Sequence, residues 1–220
     1  MKMRLYTAGV VAAIVVGSSG VIAYEHELIG GPSPVPMDNS LTEHPITVPG
    51  PRLTPIEEAL QDPRKFDPIG PEHIDSETLW LARVIFSETK RPEEQVLVAW
   101  VVRNRVDTRY RGRRTFEGAV LDPWQFSAFR PGSETGIFYS GLHVHSRVPG
   151  WQTALRIAHT VRFADSRHRP FSAETRHFYS QRSMTGTAAP SWAHGVAPVE
   201  IGYLSIDVDE YRFRFYEDIS

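Results

Sequence analysis

The chain has 220 residues, enough for one domain with a sizeable core plus appendages. Hydrophobic residues at 41% and charged residues at 23% place it among ordinary globular proteins, and a net charge of -2 argues against a dedicated nucleic-acid binder. Cysteine is absent, which excludes disulfides, a thiol nucleophile, a thiolate metal site and a lipidated cysteine anchor.

At the N-terminus, Lys2 and Arg4 precede an uncharged run from Leu5 to Tyr24, about the length that spans a bilayer. Basic residues on that flank favour a cytoplasmic N-terminus and export of the remainder. Residues 1–29 are therefore expected to be a transmembrane signal segment. Val21-Ile22-Ala23 offers small residues for cleavage, while Glu25 and Glu27 would mark the outer edge of a retained anchor. The expected location is extracytoplasmic, in the periplasm or cell-wall space, tethered to the membrane or released from it.

Residues 30–73 read as a Pro-rich linker, with ten prolines between Pro32 and Pro71. Prolines at this density block helix and remove ladder donors, leaving an extended spacer. A short helix from Thr54 to Leu60 interrupts it, with Thr54 as N-cap and Pro55 in the first turn.

Residues 74–220 carry the expected folded domain. Asp75 can cap a helix over Ser76 to Thr89, on which Leu81, Val84 and Ile85 share a face with Glu88. Pro92, Glu93 and Glu94 suit the start of a second helix, whose body from Val96 to Val106 is apolar almost all round and therefore buried. Asn104 and Arg105 stand where they would cap and pin its end. Asp122-Pro123-Trp124-Gln125-Phe126-Ser127 reads as a turn into a short aromatic segment. A third helix runs from Trp151 to Phe163 on Ala154, Leu155, Ile157, Ala158 and Val161. After Pro170 come short extended pieces, His177-Phe178-Tyr179 and Tyr211 to Tyr216, the last with aromatic and arginine residues alternating. The predicted fold class is mainly α with a small β component (α+β).

Glu88 is the leading chemical candidate. A carboxyl on an apolar helix face is pushed toward its protonated form, the property that a general acid requires. The bland alternative is an exposed ion pair with Lys90 or Arg91. The basic run Arg109, Arg111, Arg113, Arg114 is either a solvated loop or an attractor for an anionic polymer. His143, His145, His159 and His168 call for a metal test. No His-Glu-x-x-His is present and no acidic ligand stands at a recognised spacing, so neither a metal nor a cofactor is expected. No phosphate loop or Gly-x-Ser-x-Gly turn is present either.

Leu81 to Arg105, the Pro-Trp-Gln-Phe-Ser turn, His177-Phe178-Tyr179 and Pro190-Ser191-Trp192-Ala193 together resemble the SleB-type cell-wall hydrolases, which include spore-cortex-lytic enzymes and related bacterial and phage lysins. The resemblance covers roughly Ser76 to the C-terminus. It implies a lysozyme-like, lytic-transglycosylase-like catalytic domain with Glu88 as the catalytic acid. Trp124 and Phe126 would then offer flat surfaces to sugar rings, or else pack in the core. Gln125 and Ser127 would hold N-acetyl groups or a reacting hydroxyl. His177 and Tyr179 would close the other wall, and Trp192 would bind from a loop. The weakly hydrophobic N-terminal run also resembles the signal-arrest-release segments of some phage lysis enzymes.

The chain departs from the family pattern twice. It reads Glu88-Thr89-Lys90-Arg91-Pro92-Glu93 where the family has Glu-Ala-Arg-Gly-Glu-Pro, so the family's second Glu has no clear counterpart. The family's Ile-Gly-x-His-x-Phe-Tyr ending appears here as Arg212-Phe213-Arg214-Phe215-Tyr216, with Arg in place of His. The implied activity is cleavage of peptidoglycan between N-acetylmuramic acid and N-acetylglucosamine, with Glu88 acting alone as in a lytic transglycosylase. A conventional hydrolase would need Glu93, Glu94 or Glu117 as second carboxylate. The expected partners are glycan strands and, through the N-terminal segment, the membrane, with the protein a monomer and no nucleic acid bound. The rival readings are a non-catalytic wall-binding module and a His-dependent metallo-amidase or endopeptidase.

Overall fold

The computed structural model describes residues 53–184, 189–201 and 213–219. Six α-helices are described: α1 (Pro55–Gln61), α2 (Ser76–Glu88), α3 (Pro92–Asp107), α4 (Phe116–Val120), α5 (Glu134–Ser140) and α6 (Trp151–Phe163). Two strands follow, β1 (Thr175–Tyr179) and β2 (Arg214–Glu217), paired antiparallel in one sheet. The described part is thus mainly helical with a small sheet. The expected N-terminal membrane segment, and Tyr211 and Arg212 of the expected last strand, lie outside the described residues.

The helix boundaries have local causes. The Asp75 side chain accepts the Thr78 N–H at 2.9 Å and opens α2. Pro92 in the first turn of α3, followed by Glu93 and Glu94, both stops α2 short and starts α3. The middle of α3 has no polar face: Val96 through Val102 are completely buried. Helix α3 therefore lies at the centre, against α2, α4, α6 and β1, with Trp100, Trp151, Phe86 and Ile85 filling the core.

The domain begins earlier than residue 74, and the C-terminal part of the expected linker belongs to it. Thr54 and Glu57 form a reciprocal capping box at the start of α1, which sets Leu60 facing inward. Leu60 is fully buried and Phe66 nearly so, both within the main core. The prolines here start helical turns, Pro55 in α1 and Pro63 in a short 3-10 turn, and do not hold the chain extended.

Two long-range ties within the chain place the sheet and the end of α6. Asn104 Nδ2 donates to the Ser172 and Thr175 carbonyls, both at 2.9 Å, and pins β1 to the end of α3. Arg103 Nη1 donates to the Val161 and Ala164 carbonyls at 2.7 Å. In the sheet, Phe178 faces Phe215 and Tyr179 faces Arg214, with a register shift between Thr175 and His177. Phe213 and Phe215 complete the main core, whereas Tyr179 stacks on Tyr216 and meets Trp192 in a second aromatic cluster.

Candidate active site

One cavity of about 660 Å³ opens where the ends of α2 and α3, the Asp122–Ser127 turn and the sheet converge. The helices supply Ser87, Glu88 and Arg105; the turn supplies Trp124, Gln125 and Ser127, with Arg130 beyond it. His177, Phe178, Tyr179 and Ser180 come from β1 and its exit, and Trp192 from the loop. Its size suits a small-molecule or short oligomer segment.

Glu88 is the last residue of α2 and the one carboxylate on this wall among the described residues. Both basic neighbours are engaged elsewhere. The Lys90 ammonium donates to the Phe86 carbonyl and lies 3.6 Å from the Phe86 ring centroid. Arg91 Nε lies 3.5 Å from Glu94 Oε1. The exposed ion pair considered for Glu88 is therefore replaced by a half-buried carboxyl with no ion pair within 4 Å among the described residues. Burial pushes its pKa up to about 7, against the opposing fields of Arg105 and Lys90. Such a group is substantially protonated near neutrality and can give or take a proton there.

The three other carboxylates considered for a hydrolase stand away from the cavity. Glu93 pairs with Arg64 at 2.7 Å. Glu94 is buried and accepts the Thr89 hydroxyl at 2.5 Å. Glu117 is exposed on α4.

Arg105 both pins α3 and lines the cavity. Its Nε donates to the Arg176 carbonyl at 2.7 Å, and its guanidinium lies 4.9 Å from the Phe126 ring centroid. Burial lowers its pKa to about 10, so it remains a cation at neutral pH. Beside it, His177 Nε2 is 3.0 Å from the Tyr110 hydroxyl. Burial, reinforced by Arg105 and Arg176, drops the His177 pKa to about 4 and keeps the ring neutral.

The turn wall is held by charge. The buried Asp122 carboxylate accepts Arg111 Nε at 2.6 Å and Arg113 Nη2 at 2.7 Å. Two members of the basic run are thus a clamp on the turn, which is neither of the roles expected for them. The clamp sets up a backbone in which Trp124 takes φ of 68° and projects outward, 72% exposed. The next aromatic goes the other way. Phe126 is buried between Arg105 and Phe178 and is absent from the cavity wall, which corrects the expectation that it stacks on a sugar.

Of the expected site residues, Glu88, Trp124, Gln125, Ser127, His177, Tyr179 and Trp192 meet at this cavity. Tyr179 is the least accessible, its ring mostly stacked on Tyr216. Arg105 was expected only to pin its helix, and Arg130 and Phe178 carried no expectation. An arginine closing a helix that is otherwise apolar all round was the available signal for Arg105.

The four histidines considered for a metal stand elsewhere. His143 Nδ1 accepts the His145 N–H at 3.2 Å, His159 packs on Phe163, and His168 Nδ1 lies 3.7 Å from Glu57. Among the described residues, no three acidic or histidine side chains converge as a metal site. No protein-family model matches the chain, and no curated protein or solved structure matches it either.

Proposed function

We propose that the chain cleaves the β-1,4 bond between N-acetylmuramic acid and N-acetylglucosamine in peptidoglycan, as a lytic transglycosylase in which Glu88 acts alone. The observation that carries this reading is a single carboxyl on the cavity wall, held protonated to about pH 7 by burial. Further support comes from the SleB-like residue pattern and from a helical domain with a small sheet, both compatible with a lysozyme-like fold.

In the first step, protonated Glu88 donates to the glycosidic oxygen as the C1–O bond breaks and oxocarbenium character develops. The Glu88 carboxylate then removes the proton of the muramoyl C6 hydroxyl as O6 bonds to C1. Glu88 returns to its protonated state, and the product is a 1,6-anhydro sugar with no water consumed. Gln125 and Ser127 hold polar groups of the substrate, while Trp124 and Trp192 present ring faces to sugars. The reaction needs no cofactor. The enzyme works as an extracytoplasmic monomer brought to the wall by its N-terminal segment, in a phage-type endolysin or a bacterial remodelling role.

Mass spectrometry of peptidoglycan digested by the full chain, with Glu88→Gln alongside, tests the reading. The expected products are anhydro-ended muropeptides, one water lighter than reducing-end ones and absent with the variant. Reducing-end products would replace it with hydrolysis. Cleaved stem peptides would move the chemistry to an amidase or endopeptidase, and no soluble product from either form would leave a binding module.

A further inference from the structure

Arg105 is a buried cation whose charge is unmatched among the described residues. It is 5% exposed, and its one hydrogen bond runs from Nε to the Arg176 carbonyl at 2.7 Å. Nη1 is sealed from solvent and has no hydrogen-bond partner. No carboxylate comes within the 4 Å of an ion pair, although Tyr110, Glu88 and Asp122 contribute to its field. Asp122 is already clamped by Arg111 and Arg113, and Glu88 is largely uncharged below its raised pKa of about 7. The Phe126 ring at 4.9 Å and the Tyr110 ring at 5.8 Å offset part of the cost of burying this charge. They are faces, however, and leave the planar donor edge of the guanidinium unused.

The surroundings add to the imbalance. Arg130 contributes a second guanidinium to the same wall. His177 Nδ1 is buried without a partner, leaving a second open hydrogen-bonding position beside Arg105. A cavity with two arginines against a single carboxyl carries net positive charge, and a buried, unpaired cation is costly unless a ligand supplies the anion.

We infer that this cleft binds a carboxylate carried by the sugar itself, with Arg105 as its anchor. The inference rests on the glycan-cleaving reading above. In peptidoglycan the sugar-borne carboxylate is the lactyl group of a muramoyl residue that has lost its stem peptide. Where the peptide remains, that carbon is a neutral amide and offers Arg105 no charge. The preferred substrate is therefore peptide-free glycan, the product of an amidohydrolase that cuts the lactyl–peptide amide.

The test needs no substitution at Arg105, whose replacement would also release the Arg176 carbonyl. The unaltered full chain is titrated with N-acetylmuramic acid, with muramyl dipeptide and with N-acetylglucosamine, following the tryptophan fluorescence. N-acetylmuramic acid binds at least about ten-fold more tightly than either of the others, the scale of one charge-assisted hydrogen bond. Equal binding of muramyl dipeptide, or no binding of N-acetylmuramic acid, overturns the inference. An Arg105→Gln variant that still folds loses the preference, and one that keeps it assigns the anchor elsewhere and overturns the role of Arg105.

Cleavage assays separate this inference from the reading beneath it. Equal rates on peptide-free and peptide-bearing strands would overturn the substrate preference and leave glycan cleavage intact. Preferential binding of N-acetylmuramic acid with no cleavage of any strand would do the reverse.

Discussion

The two walls of the cleft are built by opposite means. On the helix wall, Glu88 and Arg105 stand at the ends of α2 and α3, and burial sets their chemistry: the carboxyl rises to about 7 and the guanidinium falls to about 10. On the turn wall, Trp124 is 72% exposed and Ser127 is open to solvent, so their ionisation or packing decides little. Their position does the work, and the Asp122 clamp sets that position. A helix core can tune a proton, whereas a loop held by ion pairs can only present a surface. Substitutions on the first wall should change turnover and pH dependence; on the second they should change substrate affinity.

The largest effect belongs to Glu88. Glu88→Gln should lower muropeptide release by about a thousand-fold or more, since in the proposed reaction one group serves as both acid and base. The same variant has a stability signature with a definite sign. The folded pKa of Glu88 is raised above 4.5, so between about pH 4.5 and 7 the native state holds a proton that the unfolded chain has lost. That contribution is full below pH 4.5 and disappears as pH rises through about 7. Above pH 7 the native protein carries the cost of a desolvated carboxylate, which glutamine lacks. Thermal unfolding at pH 8 should show Glu88→Gln more stable by ~2 kcal/mol, with the gap closing toward pH 4. A gap independent of pH would mean that Glu88 is not desolvated.

Next in size is Phe126→Ala. Phe126 is 2% exposed between Arg105 and Phe178, and its loss leaves a cavity behind the site. Chemical denaturation should show a loss of about 3–5 kcal/mol, the usual cost of truncating a buried phenylalanine. Asp122→Ala should cost less, ~2 kcal/mol, because the arginines it strands are partly exposed, at 50% and 42% for Arg111 and Arg113. Its second consequence is a looser turn, read as a rise in KM for glycan larger than any fall in kcat. A kcat loss alone would mean that the clamp acts on the helix wall.

Much of the helix wall was legible in the sequence because its signals are local. The Asp75 cap, the Pro92 start and the spacing of Leu81, Val84 and Ile85 against Glu88 all follow from short-range geometry. The domain start was misread because proline density hid Leu60 and Phe66, whose burial depends on contacts with distant helices. Helix α5 escaped notice because Ile137 and Phe138 are exposed and leave no apolar stripe. Arg105 was read only as a helix-end residue, since a cation there also complements the helix dipole. Its second role depends on β1 arriving from 71 positions away, which no local pattern reports.

The resemblance gave Trp124 and Phe126 the same two possible roles, a flat surface for sugar or a place in the core, and the turn divides them. Two residues apart in an extended segment, they would share a side; the positive φ at Trp124 breaks that alternation. Trp124→Ala should therefore leave the unfolding midpoint nearly unchanged, as an exposed side chain contributes little to folding. Its effect should appear as glycan affinity reduced by about 2–10-fold, the worth of one aromatic face. Measured beside Phe126→Ala, it gives the smallest and sharpest form of the contrast: one ring should lose binding without stability, the other stability before binding. If Trp124→Ala instead unfolds the domain, its ring packs in solution and the turn wall is not a presented surface.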